Sequence, residues 1–400
     1  MAVTRRGFMA GGLVASASML QACGRRDPDA PAGVPSNSEP DSQPLRGAVV
    51  PFDGPHQAGI VTPTQASLNL VGFNLREGVD KAGLHRLLRL WTEDARELAA
   101  GRPPVGSLEP EMNQWPANLT FTLGLGERVF ELAAPARKPA WLHPIPEMSR
   151  DQLRPEWGQT DIALQMCADD PVMCAWAMRH MTRAGADYVD TAWVQQGFMN
   201  AYGAIPTGQT PRNLFGQVDG TVNPYSEEEY GEQVFAEDGS TSLVVRRIAM
   251  HLDEWEKLDR ATREASVGRS LADGSPLSGG DEFTPADLGA TDKYGLPVID
   301  PNSHMARAAA PAGHPEQKFK RRPYNYNLPP DPAAGELSNA GLIFIAYQRD
   351  PDAQFTPVQR RLDEADRLNE WTTHIGSAVY WVPPGTGAGR DAYWAQTALA

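Results

Sequence analysis

Cysteine is scarce. Three residues in 400 are too few for a disulfide framework. Cys23 belongs to the opening segment. Cys167 and Cys174 flank a strand-to-helix junction, and two buried free thiols are expected there rather than a bridge. Neither Cys nor His recurs at the spacing of a structural zinc site. Basic charge is short as well: 36 Lys and Arg stand against 50 Asp and Glu, a net charge of −14. Nucleic-acid binding needs a basic face, so that partner class is excluded. Electrostatic adhesion to anionic lipid is disfavoured for the same reason. A long apolar run is also missing, since the opening segment is too short and too rich in Gly, Ala and Ser to make a good membrane span. What is present is an ordinary apolar fraction of 41%. The chain is long enough for two or three domains or one large one.

The opening "MAVTRRGFMAGGLVASASMLQACG" reads as a targeting peptide and not as part of the fold. Arg5-Arg6 followed by Phe8 resembles a twin-arginine signal, which exports proteins already folded. Leu20-Gln21-Ala22-Cys23 resembles a bacterial lipobox, with Gln21 as its departure. A lipid at Cys23 is therefore the expected membrane attachment, the alternative being cleavage nearby and free secretion. Residues 24–46 are rich in Pro, Ser, Asp and Ala and have almost no large apolar side chains, so they read as a flexible tether.

From residue 60 a repeating pattern begins. Strand-like composition spans 60–73, 119–126, 160–168 and 187–198. Helical periodicity spans 80–101, through Leu84, Leu87, Leu88, Trp91, Ala95 and Leu98, and again 170–185, where Asp170 caps and Pro171 starts the helix. The order β-α-β-β-α-β is the ferredoxin-like unit. A second half repeats it loosely, with strands at 240–252, 341–350 and 377–384. Its helices are expected at 253–268, opened by Asp253, and at 356–371, capped by Thr356. The fold class is α+β: two ferredoxin-like halves with antiparallel sheets, over 47–210 and 211–400. Residues 270–338 read as a long, mostly irregular insert, and such segments are usually functional or disordered.

Three features stand out in the second half. Gly216-x-x-Asp219-Gly220 fixes a carboxylate between two glycines, which by itself is a turn signal. His304 stands among small residues, with Ser303, Ala306 and Ala308–Ala310 around it. Arg321-Arg322 follows in "RRPYNY". Together they offer one imidazole, one guanidinium and one fixed carboxylate. Haem peroxidase chemistry asks for that set: an axial His on the iron, an acid/base to move a proton between peroxide oxygens, and a fixed positive charge for the breaking bond.

Five blocks in order carry a resemblance: "PFDGPHQAGIVTPTQ" (51–65), "TPRNLFGQVDGTVNP" (210–224), "TSLVVRRIAMHLDEWEKL" (241–258), "RRPYNY" (321–326) and "GLIFIAYQRDPDAQFTPVQRRL" (341–362). The chain resembles the dye-decolorising (DyP-type) haem peroxidases, in an exported group similar to bacterial deferrochelatase/peroxidase. The resemblance implies one haem b per chain, held between the second-half sheet and the insert. It places His304 at the proximal, metal-ligating position, Asp219 at the distal acid and Arg321 at the distal arginine, with Arg322 the alternative should the alignment slip by one. The flanking Gly216 and Gly220 would let the backbone approach the porphyrin. Arg246 or Arg247 would reach the haem propionates, and Asp366 would orient the imidazole. After His304 the sequence departs from the family's commoner H-x-R-x-A-N-P form, with Arg307 at the third position and Ala309 in place of Asn.

The implied activity is reduction of hydrogen peroxide at haem iron with oxidation of a bulky aromatic, phenolic or dye-like donor. Two alternatives use the same pocket: release of iron from haem with the porphyrin intact, and non-enzymatic haem binding or delivery. Oligomeric state is not readable from the sequence.

Overall fold

The first strand shows how the chain is built. β1 (Ser67–Leu75) is buried on both faces. Leu68 and Leu70 enter one apolar cluster, Val71 and Phe73 another. Burial on both faces needs a layer on each side. The structure, a computed structural model, describes residues 45–400 apart from 388, 390 and 391, and it supplies both layers. The targeting peptide, Cys23 and residues 24–44 of the tether lie outside the described residues.

In the first half, Asp80 caps α1 (Lys81–Ala99) by accepting from the Gly83 amide. β2 (Thr120–Leu125), α2 (Glu127–Ala133) and β3 (Ile162–Ala168) follow. Asp170 caps α3 (Pro171–Gly185), with Pro171 at its first position as the sequence predicts, and β4 (Val189–Phe198) closes the half. The strands pair antiparallel in the order β2-β3-β1-β4, the ferredoxin-like arrangement. Trp91, Leu87 and Leu98 of α1 and Met173, Ala177 and Met181 of α3 cover its outer face. Cys167 and Cys174 are buried free thiols.

The second half begins with α4 (Glu227–Gln233), opened by a Ser226/Glu229 capping box. β5 (Thr241–Met250), α5 (Leu252–Trp255), α6 (Arg260–Val267), α7 (His304–Ala308), β6 (Lys320–Arg321), β7 (Tyr324–Leu328), β8 (Asn339–Gln348), α8 (Phe355–Ala365) and β9 (Thr372–Val382) follow. β9 pairs β5 and β5 pairs β8, while β6 and β7 share the other edge of β8. The ferredoxin-like order recurs. The two sheets meet edge to edge at Leu125–Trp381 and Phe198–Asn325. Their inner faces share one core, including Leu70, Trp193, Leu243, Ile345, Tyr347 and Tyr380.

Several expected boundaries move, each for a local reason. Residues 60–66 are not strand; β1 starts at Ser67. The helix expected over 253–268 is two helices, because Asp259 caps a new start by accepting from Thr262. Asp253 is no cap: its carboxylate accepts from the Leu337 amide and the Ser338 hydroxyl. Thr356 lies inside α8 behind Gln354, and the helix stops at Ala365 because Asp366 turns to cap the next short turn. The insert is less irregular than expected. It carries α7 and the strand pair β6/β7, which Arg322-Pro323 interrupts.

The outer faces of the two sheets are not equivalent. In the second half Arg246, Ile248, Met250, Leu342, Phe344 and His374 form the floor of a cavity of about 660 Å³. The loop around Asp219, the insert with α7, and α8 supply most of the rest of its wall. Among the described residues no helix is long and apolar enough to cross a membrane.

Candidate active site

The cavity has the size of a cofactor or small-molecule site, for which about 300–1,000 Å³ is usual. Its walls are largely apolar, with Val267, Phe355, Val358 and Leu362 beside the sheet residues. Among its polar groups are the three the sequence singles out, Asp219, His304 and Arg321.

The Asp219 wall is a tight turn. The Asn213 side chain accepts from the Phe215 amide, and Gly216 N donates to Asn213 O. Gly216 has φ +80° and Gly220 φ +137°, conformations that glycine adopts without strain. This is why both glycines are required; Gly220 lies on the cavity wall, and Gly216 does not line it. The turn leaves Asp219 with both carboxylate oxygens engaged. Oδ1 accepts from Arg321 Nη1 at 2.8 Å, and Oδ2 accepts from Asn213 Nδ2 at 3.2 Å. Tyr225, whose ring also lines the cavity, steadies the turn by donating its phenol hydrogen to Gly220 O at 2.7 Å.

Arg321 comes from β6, held on β8 opposite Ala346. Asn223, on the same segment as Asp219, grips its backbone twice. Arg321 N donates to Asn223 Oδ1 at 2.8 Å, and Asn223 Nδ2 donates to Arg321 O at 3.1 Å. One side chain thus sets the acid-bearing loop against the arginine-bearing strand. Each bond is worth about 1 kcal/mol net, and 1.4 kcal/mol is about tenfold in rate. On the peroxidase chemistry that the resemblance implies, Asn223→Ala is expected to slow the reaction with peroxide by about tenfold without changing how much haem is bound, which rapid mixing with peroxide would measure. Arg322, the alternative, is not in the cavity. It points into the core between the sheets and donates to Thr62 O and Gln65 Oε1.

His304 opens α7, with Ser303 as its N-cap. Its Nδ1 lies 2.6 Å from Asp366 Oδ2. Asp366 is buried, and its other oxygen caps the following turn by accepting from Leu368 N. The carboxylate is therefore fixed and accepts the Nδ1–H hydrogen bond, so in the neutral ring the lone pair is on Nε2. Among the described residues nothing bonds to that Nε2. Burial lowers the His304 pKa, but the charge and hydrogen bond of Asp366 outweigh it and hold the ring above the ordinary histidine value.

The two strand arginines separate. Arg247 faces the inner core, sandwiched between the Trp157 and Tyr326 rings with its guanidinium carbon 4.1 and 4.0 Å from their centroids; it does not reach the cavity. Arg246 is on the cavity floor but fully buried and already engaged. It is ion-paired with Asp151 and donates to Ser377 Oγ at 3.1 Å and His374 Nδ1 at 3.1 Å. Of the two arginines from which the sequence led us to expect a propionate contact, only Arg246 lines the cavity, and most of its donors are already engaged.

The chain is similar to known proteins over nearly its whole described length. Residues 57–199 match the Dyp-type peroxidase N-terminal model and residues 210–387 the C-terminal one. The chain belongs to the Dyp-type peroxidase family. It is 35% identical to the dye-decolorizing peroxidase of Thermobifida fusca, over 95% of this chain and 94% of that protein. It is 30% identical to the deferrochelatase of Escherichia coli K12, over 90% and 88%. Among solved structures, the DyP-type peroxidase from Cellulomonas bogoriensis is similar at 46% identity and a TM-score of 0.85, covering 89% of this chain and 99% of that one. The ferric form of DtpA from Streptomyces lividans is similar at 36% and 0.84, covering 89% and 98%.

A haem fits the residues present. A haem iron would ask the protein for a lone-pair donor, and His304 Nε2 is the group that would hold it. The ring needs apolar walls, which the cavity has. A buried donor, Gln217 Nε2, lines the cavity with no partner among the described residues. Asn213, Asn223, Tyr225 and His374 were not legible as site residues. Asn213 and Asn223 carried the one signal there was, their place in the motif segment on either side of Asp219.

Proposed function

We propose that His304 is the axial ligand of haem b, that Asp219 is the acid/base and Arg321 the fixed charge of peroxide reduction, and that the electrons come from bulky aromatic or phenolic donors. The observation that carries this is the Asp219–Arg321 pair at 2.8 Å in the wall of the cavity that His304 also lines. Bound there, haem supplies the redox iron at which peroxide is reduced. Asp219 takes a proton from one peroxide oxygen and returns it to the other, which leaves as water. Arg321 balances the negative charge that builds as the O–O bond breaks. Asn213 and Arg321 together hold the carboxylate in register for both steps. The apolar wall excludes water, which strengthens each of these interactions. Donors of about the size of a dye oxidise at the protein surface or the cavity mouth, where Tyr225 and Phe283 are exposed.

A second reading, iron release with the porphyrin intact, is favoured by relatives named deferrochelatase at 30–32% identity. A haem-delivery role would use His304 but leave the Asp219–Arg321 pair without a task. One experiment separates the three. The purified protein is expected to show a haem Soret band that shifts on one equivalent of hydrogen peroxide and to oxidise a phenol or dye with turnover. Metal-free porphyrin accumulating instead would support iron release. A haem band indifferent to peroxide would leave delivery. The absence of haem, even after hemin is added, would end all three.

We further propose that the chain divides into a leader (1–23), a tether (24–46) and two halves meeting near residue 210. The leader's Arg5-Arg6 and Cys23 support export through the twin-arginine route and lipid anchoring at the cell envelope.

A further inference from the structure

Two histidines line the cavity, His304 and His374, and their hydrogen bonds are reversed. At His304 an acceptor, Asp366, holds Nδ1. At His374 a donor does. Arg246 Nε lies 3.1 Å from His374 Nδ1, and Arg246 Nη2 lies 2.9 Å from it. A guanidinium can only donate. The lone pair of His374 is therefore on Nδ1, and its hydrogen is on Nε2. Burial, then the charges of Arg246 and His304, hold its pKa well below the ordinary value, so the ring is neutral. Such a ring is no axial ligand. It is a hydrogen-bond donor, and among the described residues no protein group accepts from its Nε2.

The backbone is arranged to place this donor on the cavity. β9 runs beside β5 with Ser377 opposite Arg246 and Gly376 opposite Arg247. The register then slips, and His374 rather than Ile375 stands opposite Ile248. Ile375 is an extra residue, a β-bulge. Strict alternation from Ser377 would turn His374 into the core between the sheets; the bulge returns it to the outer face with Arg246 and Ile248. Bulges beside active sites commonly re-aim a side chain in this way. Asp151 neutralises the Arg246 behind it, so the wall presents one N–H and little net charge.

We propose that His374 is a cofactor-binding residue whose Nε2–H donates to a propionate carboxylate of the porphyrin, while Arg246 acts through it by fixing the tautomer. This rests on the haem reading above. The propionates are the only strong anionic acceptors that haem carries, and a hydrogen bond to a charged acceptor is about twice as strong as a neutral one. Beside Arg246 and Thr372, the floor around His374 is made of Ile248, Met250, Leu342 and Phe344.

The test follows haem leaving the holoenzyme for an excess of a haem-scavenging protein, read by absorbance and independent of turnover. His374→Phe is expected to release haem about ten- to a hundredfold faster. His374→Gln, which keeps a side-chain N–H, is expected to release it much closer to the wild-type rate. The same enzymes are then loaded with haem dimethyl ester, whose carboxylates are blocked. The wild type should lose the ester faster than haem, and His374→Phe should add little further. Equal acceleration of haem and ester by His374→Phe would make the role structural and overturn the proposal. So would an unchanged release of haem, or a wild type that holds haem and ester alike. A wild type that carries no haem at all would instead overturn the haem reading itself.

Discussion

Asp219→Asn is expected to leave haem bound and to slow the reaction with hydrogen peroxide by about 10²–10⁴-fold, the usual contribution of one positioned acid/base. The substitution is nearly isosteric. The introduced amide can still accept from Arg321 Nη1 through its oxygen and gives up only the Asn213 Nδ2 bond, while the Phe215 N and Gly216 N bonds to Asn213 keep the turn closed. What is lost is the ability to take a proton. Arg321→Leu removes the other half of the pair and is expected to cost about 10²–10³-fold, the scale seen when one charge-stabilising donor is removed. The two groups touch, so their effects should not add. The double variant is expected to be little slower than the worse single one. Rapid mixing with peroxide under pseudo-first-order conditions reads the rates, and the Soret absorbance reads occupancy. Peroxide rates unchanged at full occupancy in either single variant would remove these residues from the mechanism.

How far the sequence led differs from residue to residue. Asp219 was legible because its two glycines announce a turn, and the structure shows both at positive φ. Asp366 was legible only through the resemblance, and its position proves local in cause: the carboxylate that ends α8 and caps the next turn is the one that meets His304. The strand that completes the second ferredoxin-like unit was not legible. Pro323 interrupts it, and the alternation of Tyr and Asn that follows lacks the apolar pattern of a half-buried strand. Yet that strand is what carries Arg321. Choosing Arg321 over Arg322 is likewise a matter of which face of β6/β7 each side chain takes, and Asn223 settles it by binding the backbone at 321. His374 was hidden because face assignment from sequence assumes an unbroken period of two, and the bulge at Ile375 breaks it.

His304→Ala is expected to abolish peroxidase turnover, and its contrast with Asp366→Asn tests how the axial base is tuned. Removing the imidazole takes away the Nε2 lone pair, and neither the second cavity histidine nor the arginines Arg246 and Arg321 can replace it. His374 is held in the wrong tautomer by Arg246, and Arg246 and Arg321 can only donate. The loss should exceed the about 10–100-fold that an outer hydrogen-bond partner typically costs in affinity or activity. Added imidazole should restore part of it by occupying the vacated space. Asp366→Asn keeps a group in place to accept from Nδ1 at the same site but removes its charge. A carboxylate at 2.6 Å makes the imidazole a stronger electron donor, and stronger axial donation favours the oxidised iron. Loss of that charge is therefore expected to raise the ferric/ferrous reduction potential, with activity falling by about 10–100-fold. A potentiometric titration of the two holoenzymes decides the point. Identical potentials would mean that Asp366 only positions the ring, since a neutral acceptor can do that equally well. A raised potential would mean that its charge reaches the iron through His304.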